Sequence, residues 1–220
     1  MEPYISVVIP ALDEEPCVAR VVATVRAHPL VRDVIVVDNG STDDTPKEAF
    51  RAGARVVFES RKGIGYALKV GIANAVTDTI LRTDADITNW HSRWIDALCA
   101  ADRGHLRRGV FQSPYDQFPV TRLVVRPYLE LFVPALSQIQ TPISGTYCFD
   151  RRDIFFSDLA NDWAFDVSLL ISAHERQMVM CDIDIGILCD RQRSIEHYEP
   201  MARQIHAYFL NKFTRPVAKD

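Results

Sequence analysis

Two aspartates, Asp84 and Asp86, follow a short apolar run and could together hold a divalent cation. Residues i and i+2 of an extended segment point to the same face, so both carboxylates can reach one ion. Carboxylate oxygens are the ligands that the hard cations Mg²⁺ and Mn²⁺ prefer. Such a cation neutralises the charge that a departing phosphate or diphosphate acquires. The pair therefore predicts metal-assisted chemistry on a phosphorylated compound.

Three further segments in the first hundred residues could contact the same ligand. Residues 10–15 (PALDEE) and 38–45 (DNGSTDDT) each follow an apolar run, and residues 61–65 (RKGIG) open a helical pattern. A basic helix start suits an anion. It is not a dinucleotide fingerprint, because Leu68 stands where that motif has its last glycine. Each segment alone also fits a turn or a helix cap, but their joint occurrence and order favour one shared site.

Short β-branched runs alternate with helical patterns around these segments. We predict strands at 5–10, 33–38, 54–58 and 79–83, and helices at 15–26, from 45 onward and at 64–75. The helix from residue 45 opens with a capping-box pattern, Thr45 to Glu48. This alternation predicts an α/β, Rossmann-like fold with a mostly parallel central sheet flanked by helices. Ligands of such sheets bind beyond the carboxyl ends of the strands, where the polar segments lie.

The second hundred residues are less regular. Helices are predicted at 121–136, 165–175 and 201–213, and strands at 146–149 and 179–188. No repeat and no linker rich in Gly or Ser divides the chain, so we expect a single domain over residues 1–220.

Composition excludes several classes of protein. The chain has 220 residues, 48% of them hydrophobic, which is enough to bury a substantial core. A net charge of −4 disfavours nucleic-acid binding. Five cysteines without a Cys-x-x-Cys pair argue against a disulfide framework and a zinc ribbon. We find no secretory signal pattern and no apolar run of about 20 residues. We therefore expect a cytoplasmic protein that binds neither nucleic acid nor a membrane.

Segments 10–15, 38–45, 61–63 and 84–86 together resemble the nucleotide-sugar-binding half of family 2-like glycosyltransferases with the GT-A fold. Segments 120–127 (VTRLVVRP), 142–145 (PISG), 163–171 and 184–186 are similar to those of glucosyl-3-phosphoglycerate synthases. The resemblance implies retaining transfer of glucose from UDP-glucose to the 2-hydroxyl of 3-phosphoglycerate, with Mg²⁺ or Mn²⁺. On this basis residues 1–100 form the nucleotide-sugar-binding half and residues 101–220 the acceptor half.

The resemblance also implies a role for individual residues. Asp166 stands where the family has a glutamate, and it is the expected catalytic residue: it would orient the acceptor or stabilise an oxocarbenium-like transition state. Asp86 and Asp190 are the expected metal ligands, with His197 as the rival of Asp190. The expected donor contacts are Pro10, Leu12, Glu14, Asp38, Asn39, Lys62, Asp84, Ala85 and Arg193. The expected acceptor contacts are Thr121, Arg122, Gly145, Arg191 and Gln192.

The acceptor half departs from the synthase pattern. Residues 115–119 (YDQFP) replace a glycine-rich segment that cradles the acceptor phosphate, Thr146 replaces a glutamate, and Leu188 replaces an arginine. We therefore expect a UDP-sugar donor, UDP-glucose or a related compound. The acceptor should be small, soluble, hydroxylated and anionic, without necessarily being 3-phosphoglycerate.

Two alternatives stay open. A polyprenyl-phosphate sugar synthase at a membrane surface would need basic charge, which Arg103, Arg107 and Arg108 could supply. A catalytically silent nucleotide-sugar-binding protein would explain Asp190 and the shortened carboxylate Asp166. The sequence also leaves open the stereochemical outcome and whether the chain forms a homodimer.

Overall fold

The computed structural model describes residues 4–100, 105–113, 119–191 and 193–214, and arranges them around one seven-stranded sheet. The strands are β1 (Ile5–Ala11), β2 (Val31–Asp38), β3 (Arg55–Phe58), β4 (Thr79–Arg82), β5 (Leu106–Gln112), β6 (Tyr147–Asp150) and β7 (Met180–Ile187). The helices are α1 (Glu15–Arg26), α2 (Thr45–Arg51), α3 (Ile64–Ala73), α4 (Arg93–Cys99), α5 (Arg126–Phe132), α6 (Phe165–Glu175) and α7 (Ile195–Phe213).

The strands lie in the order β3-β2-β1-β4-β6-β5-β7, and only β6 runs antiparallel to its neighbours. Ala11 pairs with Asp38, and Asp38 pairs with Phe58. The carboxyl ends of β1, β2 and β3 are therefore level, and the loops that follow them meet at one edge of the sheet. The mostly parallel α/β fold expected from the sequence is confirmed.

Apolar side chains cover both faces of the sheet. Helices α1, α2 and α4 pack on one face, and the buried residues of this layer include Val21, Ala49 and Leu98. Helices α3 and α6 cover the other face, where Leu68 and Phe165 are buried. A third cluster joins α5 and α6 to the closing helix α7. The core thus fixes the sheet edge at which the polar loops lie.

Strand β5 was not predicted, and it changes the interpretation of two arginines. Arg107 and Arg108 are only 6% and 3% exposed. Arg107 Nη1 donates to the carbonyl of Ala100 at 2.9 Å, and Arg108 forms an ion pair with Asp182 on β7. Because both side chains are buried, neither contributes to the charged outer face that the membrane alternative requires. The strand was missed because these two arginines interrupt its apolar pattern. Arg103 lies outside the described residues.

The predicted helix at 121–136 is divided in the structure. A π-helical turn (Thr121–Val125) leads into α5, and a short 3₁₀ turn (Pro134–Leu136) follows. Helix α7 begins at Ile195, earlier than predicted, with Pro200 inside it. The proline removes one helical hydrogen bond without ending the helix. Helix α4 was not predicted.

Candidate active site

A cleft of about 390 Å³ opens at the carboxyl edge of β1, β2 and β4 and extends towards α6 and α7. Most of the residues expected at the site line this cleft, although they come from distant parts of the chain. They are Pro10, Leu12, Glu14, Asn39, Lys62, Asp84, Ala85, Asp86, Gly145, Asp166, Asp190, Arg191 and Arg193.

Three expected residues lie elsewhere, and a fourth is not described. Thr121 lines a smaller cavity that adjoins the cleft. Asp38 is buried at the end of β2, where its carboxylate accepts a hydrogen bond from Ser41 N at 3.0 Å. Arg122 is exposed and lines neither cavity. Gln192 lies outside the described residues.

The loops after β1 and β2 hold each other in place through hydrogen bonds between side chain and backbone. Asp13 N donates to Ser41 Oγ at 3.1 Å, and Asp13 Oδ1 accepts from Thr42 N at 2.7 Å. Glu14 N donates to Thr45 Oγ1 at 2.7 Å. The predicted start of α2 is confirmed, but the capping box is wrong, because the Thr45 hydroxyl binds the neighbouring loop and does not cap the helix. Several polar side chains of segment 38–45 therefore hold the residues of segment 10–15 in position.

Asn39 fixes a third loop. Its Nδ2 donates to the carbonyls of residues 59 and 61 at 2.9 and 2.8 Å, and its Oδ1 accepts from Gly63 N at 2.8 Å. Lys62 Nζ folds back onto the carbonyls of Asn39 and Gly40 at 3.1 and 3.0 Å. The amide of Asn39 is thus occupied in shaping the loop, and Lys62 supplies the positive charge at this end of the cleft.

A buried arginine, Arg82, connects the first half of the chain to the second. It is 2% exposed at the end of β4, and its two terminal nitrogens pair with Asp84 at 2.8 and 3.1 Å. Its Nη1 also lies 3.9 Å from Asp166 Oδ2. Tyr147 on β6 donates to Asp166 Oδ1 at 2.6 Å. Sequence reasoning missed both Arg82 and Tyr147, although an arginine ending the apolar run TILR is itself an unusual signal.

Gly145 allows this cluster to close. Its N–H donates to Asp166 Oδ2 at 3.1 Å, and its φ of +66° is one that residues with a Cβ rarely adopt. A Cβ at this position would overlap the Asp84 carboxylate and lie 2.5 Å from Arg82 Nη1. The glycine therefore lets the backbone before β6 approach the ion pair.

Negative charge is concentrated around Asp84. Burial raises the pKa of Asp84 to about 8; Arg82 opposes this rise, and the neighbouring Asp86 and Asp166 carboxylates add to it. Burial raises the pKa of the Tyr147 phenol well above its usual value, and the Asp166 carboxylate contributes to the rise. Tyr147 therefore stays a neutral hydrogen-bond donor to Asp166.

A second ion-pair cluster involves Glu14, Asp86 and the two arginines of the loop after β7. Arg193 pairs with Glu14 and lies 3.2 Å from Asp86 Oδ2, while Arg191 Nη1 lies 3.7 Å from Glu14 Oε2. Burial raises the pKa of Glu14 to about 7; Asp86 adds to the rise and Arg193 opposes it. Arg193 is thus the counter-ion of the carboxylate expected to bind metal.

Asp86 and Asp190 fit a hard cation whose other ligands come from a bound phosphorylated compound. Burial raises the pKa of Asp190, and the charge of Asp86 adds to this effect. The rival ligand His197 also lines the cleft; burial lowers its pKa, and its ring contacts that of Trp163 edge-on at 5.9 Å. In the described part of the chain, no three His, Cys, Asp or Glu side chains form a complete metal-binding group.

Trp163 and Tyr198 also line the cleft and were not predicted as site residues. Trp163 lies before α6 and opens segment 163–171, although the resemblance assigned no role to this residue, whereas Tyr198 lies within α7 and no motif marks it in the sequence. Among the described residues, no helix combines the length and apolar character that a membrane crossing requires.

Comparison with known proteins agrees with this geometry. The sequence profile of glycosyl transferase family 2 matches residues 6–162. The glucosyl-3-phosphoglycerate synthase of Mycolicibacterium paratuberculosis is 30% identical over 94% of this chain and 72% of the relative. The enzyme of the same name from Petrotoga mobilis is 25% identical over 96% of this chain and 74% of the relative.

Solved structures show the same architecture. Glucosyl-3-phosphoglycerate synthase from Mycobacterium tuberculosis in complex with phosphoglyceric acid superposes with a TM-score of 0.87 and 29% identity, over 98% of this chain and 82% of that one. The same enzyme in complex with Mn²⁺, UDP-glucose and phosphoglyceric acid has the same TM-score, identity and coverage. A complex with Mg²⁺ and UDP has a TM-score of 0.87 and 29% identity, over 98% of this chain and 81% of that one. The chain therefore belongs to glycosyl transferase family 2 and is a glycosyltransferase with the GT-A fold.

Proposed function

We propose that this protein transfers a hexose from a UDP-sugar, with UDP-glucose favoured, to a hydroxyl of a small soluble acceptor in the presence of Mg²⁺ or Mn²⁺. One observation carries the proposal: the carboxylates of Asp86 and Asp190 share a cleft with the basic side chains of Lys62, Arg191 and Arg193. Carboxylates beside basic groups suit a diphosphate that is bound together with a metal ion.

In this proposal the donor occupies the side of the cleft formed by the first half of the chain. Uridine lies against Pro10, Leu12 and Glu14, and Lys62 lies near the base or ribose. Asp84 faces the ribose side, with Ala85 beside it. Arg193 exchanges its pairing with Glu14 and Asp86 for a contact with the diphosphate. Asp86 and Asp190 would hold the metal ion, which stabilises the charge of the leaving UDP.

Asp166 is the proposed catalytic residue. Its two oxygens accept hydrogen bonds from Tyr147 and Gly145, so the carboxylate is held in a fixed orientation between the two halves of the cleft. A carboxylate held in this way can orient the acceptor hydroxyl or stabilise positive charge that develops on the sugar. Retention of configuration is part of this proposal and is what the resemblance to glucosyl-3-phosphoglycerate synthases implies.

The relatives' phosphoglyceric acid supports a small anionic acceptor. In this chain the side chain suited to an acceptor's negative group is Arg191, which lines the cleft and is half-exposed. The membrane-bound alternative loses its main support, because Arg107 and Arg108 are buried. The catalytically silent alternative is separated from the proposal by the experiment that follows.

The test is calorimetric binding of UDP with and without Mn²⁺ to the wild type and to Asp86→Ala. We expect the variant to lose about 100-fold in Mn²⁺-dependent UDP affinity, roughly 2.7 kcal/mol, because a metal ligand is removed. Glu130→Ala, which deletes an exposed carboxylate on α5, is the control and should bind like the wild type. Unchanged affinity in Asp86→Ala would overturn the metal assignment. Mn²⁺-dependent hydrolysis of UDP-glucose without acceptor would exclude the silent alternative.

A further inference from the structure

A second cavity, of about 130 Å³, adjoins the cleft and shares Asp84, Asp86 and Asp190 with it. Away from these carboxylates its lining is uncharged. The apolar part includes Ile87, Phe111, Pro119, Val120, Ile143 and Leu188. Among the described residues, no lysine or arginine lines this cavity.

Basic residues close to this lining in the chain are engaged elsewhere or do not line the cavity. Arg82, Arg191 and Arg193 line the larger cleft instead. Arg108 is ion-paired with an aspartate of β7. Arg126 donates to the carbonyls of residues 137 and 140 at 3.2 and 3.4 Å. Arg122 is exposed and does not line the cavity. The neighbouring positions outside the described residues, 114–118 and Gln192, contain no lysine or arginine in the sequence.

Apart from the three carboxylates, the polar groups of the cavity are neutral. Ser144 Oγ donates to the carbonyl of Gly109 at 2.6 Å, and Thr121 and Tyr198 contribute hydroxyl groups to the lining. A phosphate or carboxylate placed here would lose hydration without gaining a cationic partner.

We propose that this cavity receives an uncharged, partly apolar portion of the acceptor and excludes a phosphate or carboxylate from that position. The inference rests on the proposed function and refines it. The acceptor carries its reactive hydroxyl near Asp166 and any negative group towards Arg191. The substituent on the other side of the hydroxyl is neutral, so the acceptor is a substituted hydroxy acid or a related polyol and not a doubly anionic compound.

A matched pair of acceptors tests this inference. 3-Phosphoglycerate and 3-O-ethylglycerate share the carboxylate and the 2-hydroxyl and differ in whether the third carbon carries a dianion or a neutral ether. With UDP-glucose and Mn²⁺, we expect kcat/KM to be at least about tenfold higher for the ether, a factor that corresponds to 1.4 kcal/mol. Equal or greater turnover of 3-phosphoglycerate, or no turnover of either compound, would overturn the inference.

Placing a cation at the rim should weaken the preference for the neutral ether. Pro119→Arg puts a guanidinium on a residue that lines the cavity, and Pro119→Gln is its matched neutral control. We expect Pro119→Arg alone to raise kcat/KM for 3-phosphoglycerate about tenfold, with little change for the ether. The same change in both variants would show that loss of the proline, and not the added charge, is responsible.

Failure of this inference can be told apart from failure of the proposed function. Mn²⁺-dependent UDP binding and UDP-glucose hydrolysis are measured on the same wild-type sample without acceptor. If both are present while the ether has no advantage, only the cavity assignment is wrong. If both are absent, the proposed function itself is wrong.

Discussion

The two ends of the cleft are built in different ways. At the end proposed for the donor (the donor end), consecutive loops of one half of the chain are bound to each other: segment 12–15 to segment 41–45, and Asn39 to the loop at 59–63. At the end proposed for the acceptor (the acceptor end), the cleft continues into the smaller cavity, whose walls come from the strand β5, the π-helical turn before α5 and the loop after β7 and are mostly apolar. The donor end therefore has local, polar supports, whereas the acceptor end depends on packing between distant segments.

The two ends meet at Arg82. The arginine belongs to β4 in the first half, and its partners include Asp166 on α6 in the second half. Strand β6, which pairs with β4, also brings Tyr147 to Asp166. The comparison therefore predicts that disturbing this junction should damage both ends at once, whereas disturbing one end should not.

The largest effect is expected for Arg82→Met. The substitution leaves Asp84 and Asp166 without their buried counter-ion, and breaking a buried ion pair in this way costs about 3–5 kcal/mol. Chemical denaturation near pH 8 measures the free energy of unfolding. The control is Arg203→Met, which removes an exposed pair with Glu199 on α7 and should cost less than about 1 kcal/mol. Equal losses in the two variants would mean that Arg82 does not join the two ends.

The success of the predictions from sequence also differs between the donor end and the acceptor end. The first four strands and the first helices were predictable because β-branched runs and helical patterns alternate there. The motif residues could be placed at one sheet edge because parallel strands end together. Their individual roles were less accessible: Thr45 and Asn39 serve neighbouring loops, and such contacts depend on how close the loops lie in space.

The acceptor end was harder to predict for physical reasons. Strand β5 carries Arg107 and Arg108, whose burial is compensated by partners far along the chain, namely Cys148 on β6 and Asp182 on β7. Tyr147 lies in a short strand whose antiparallel pairing with β4 has no local signal. The ligand that completes the metal site, Asp190 or His197, depends on a loop whose course no pattern specifies.

A smaller loss of stability than for Arg82→Met is expected for Gly145→Ala, and Gly186→Ala is its control at a site with similar backbone strain. Gly145 and Gly186 both have positive φ, +66° and +83°, but a Cβ on Gly145 meets the Asp84–Arg82 pair, whereas one on Gly186 has nothing within 4 Å. Both alanine variants incur the backbone penalty. We expect Gly145→Ala to lose about 1–3 kcal/mol more, because of overpacking, together with transfer activity. Denaturation and initial-rate assays measure the two losses. Equal destabilisation would show that the junction tolerates the extra atom.

The smallest effect concerns the donor end alone and depends on pH. Burial raises the pKa of Glu14 from 4.5 to about 7, with a further contribution from Asp86, so the folded chain holds a proton there that the unfolded chain releases above pH 4.5. Folded protein then binds more protons than unfolded protein between pH 4.5 and 7, and the contribution of Glu14 to stability falls as the pH rises through this window.

Glu14→Gln should remove that part of the pH dependence. Without ligand or metal, we expect the stability of the variant relative to the wild type to increase from pH 4.5 to pH 7 by on the order of 1 kcal/mol, about one pKa unit, and to be constant above pH 7. This is less than the full pKa shift of Glu14 implies. Arg193 can pair with Asp86 when Glu14 is neutral and with Glu14 when it is ionised, which reduces the difference between the two states. Asp43→Asn, on the adjoining loop, is the control. Desolvation would raise the pKa of Asp43, but a hydrogen bond from Thr45 outweighs it and lowers this pKa below its usual 3.8. The contribution of Asp43 to the pH dependence of stability is therefore confined to more acidic pH, and Asp43→Asn should show no trend between pH 4.5 and 7. Thermal unfolding across this pH range measures the stability of both variants. If the stability of Glu14→Gln and that of the wild type change with pH in parallel, burial of the Glu14 carboxylate at the donor end does not cost stability.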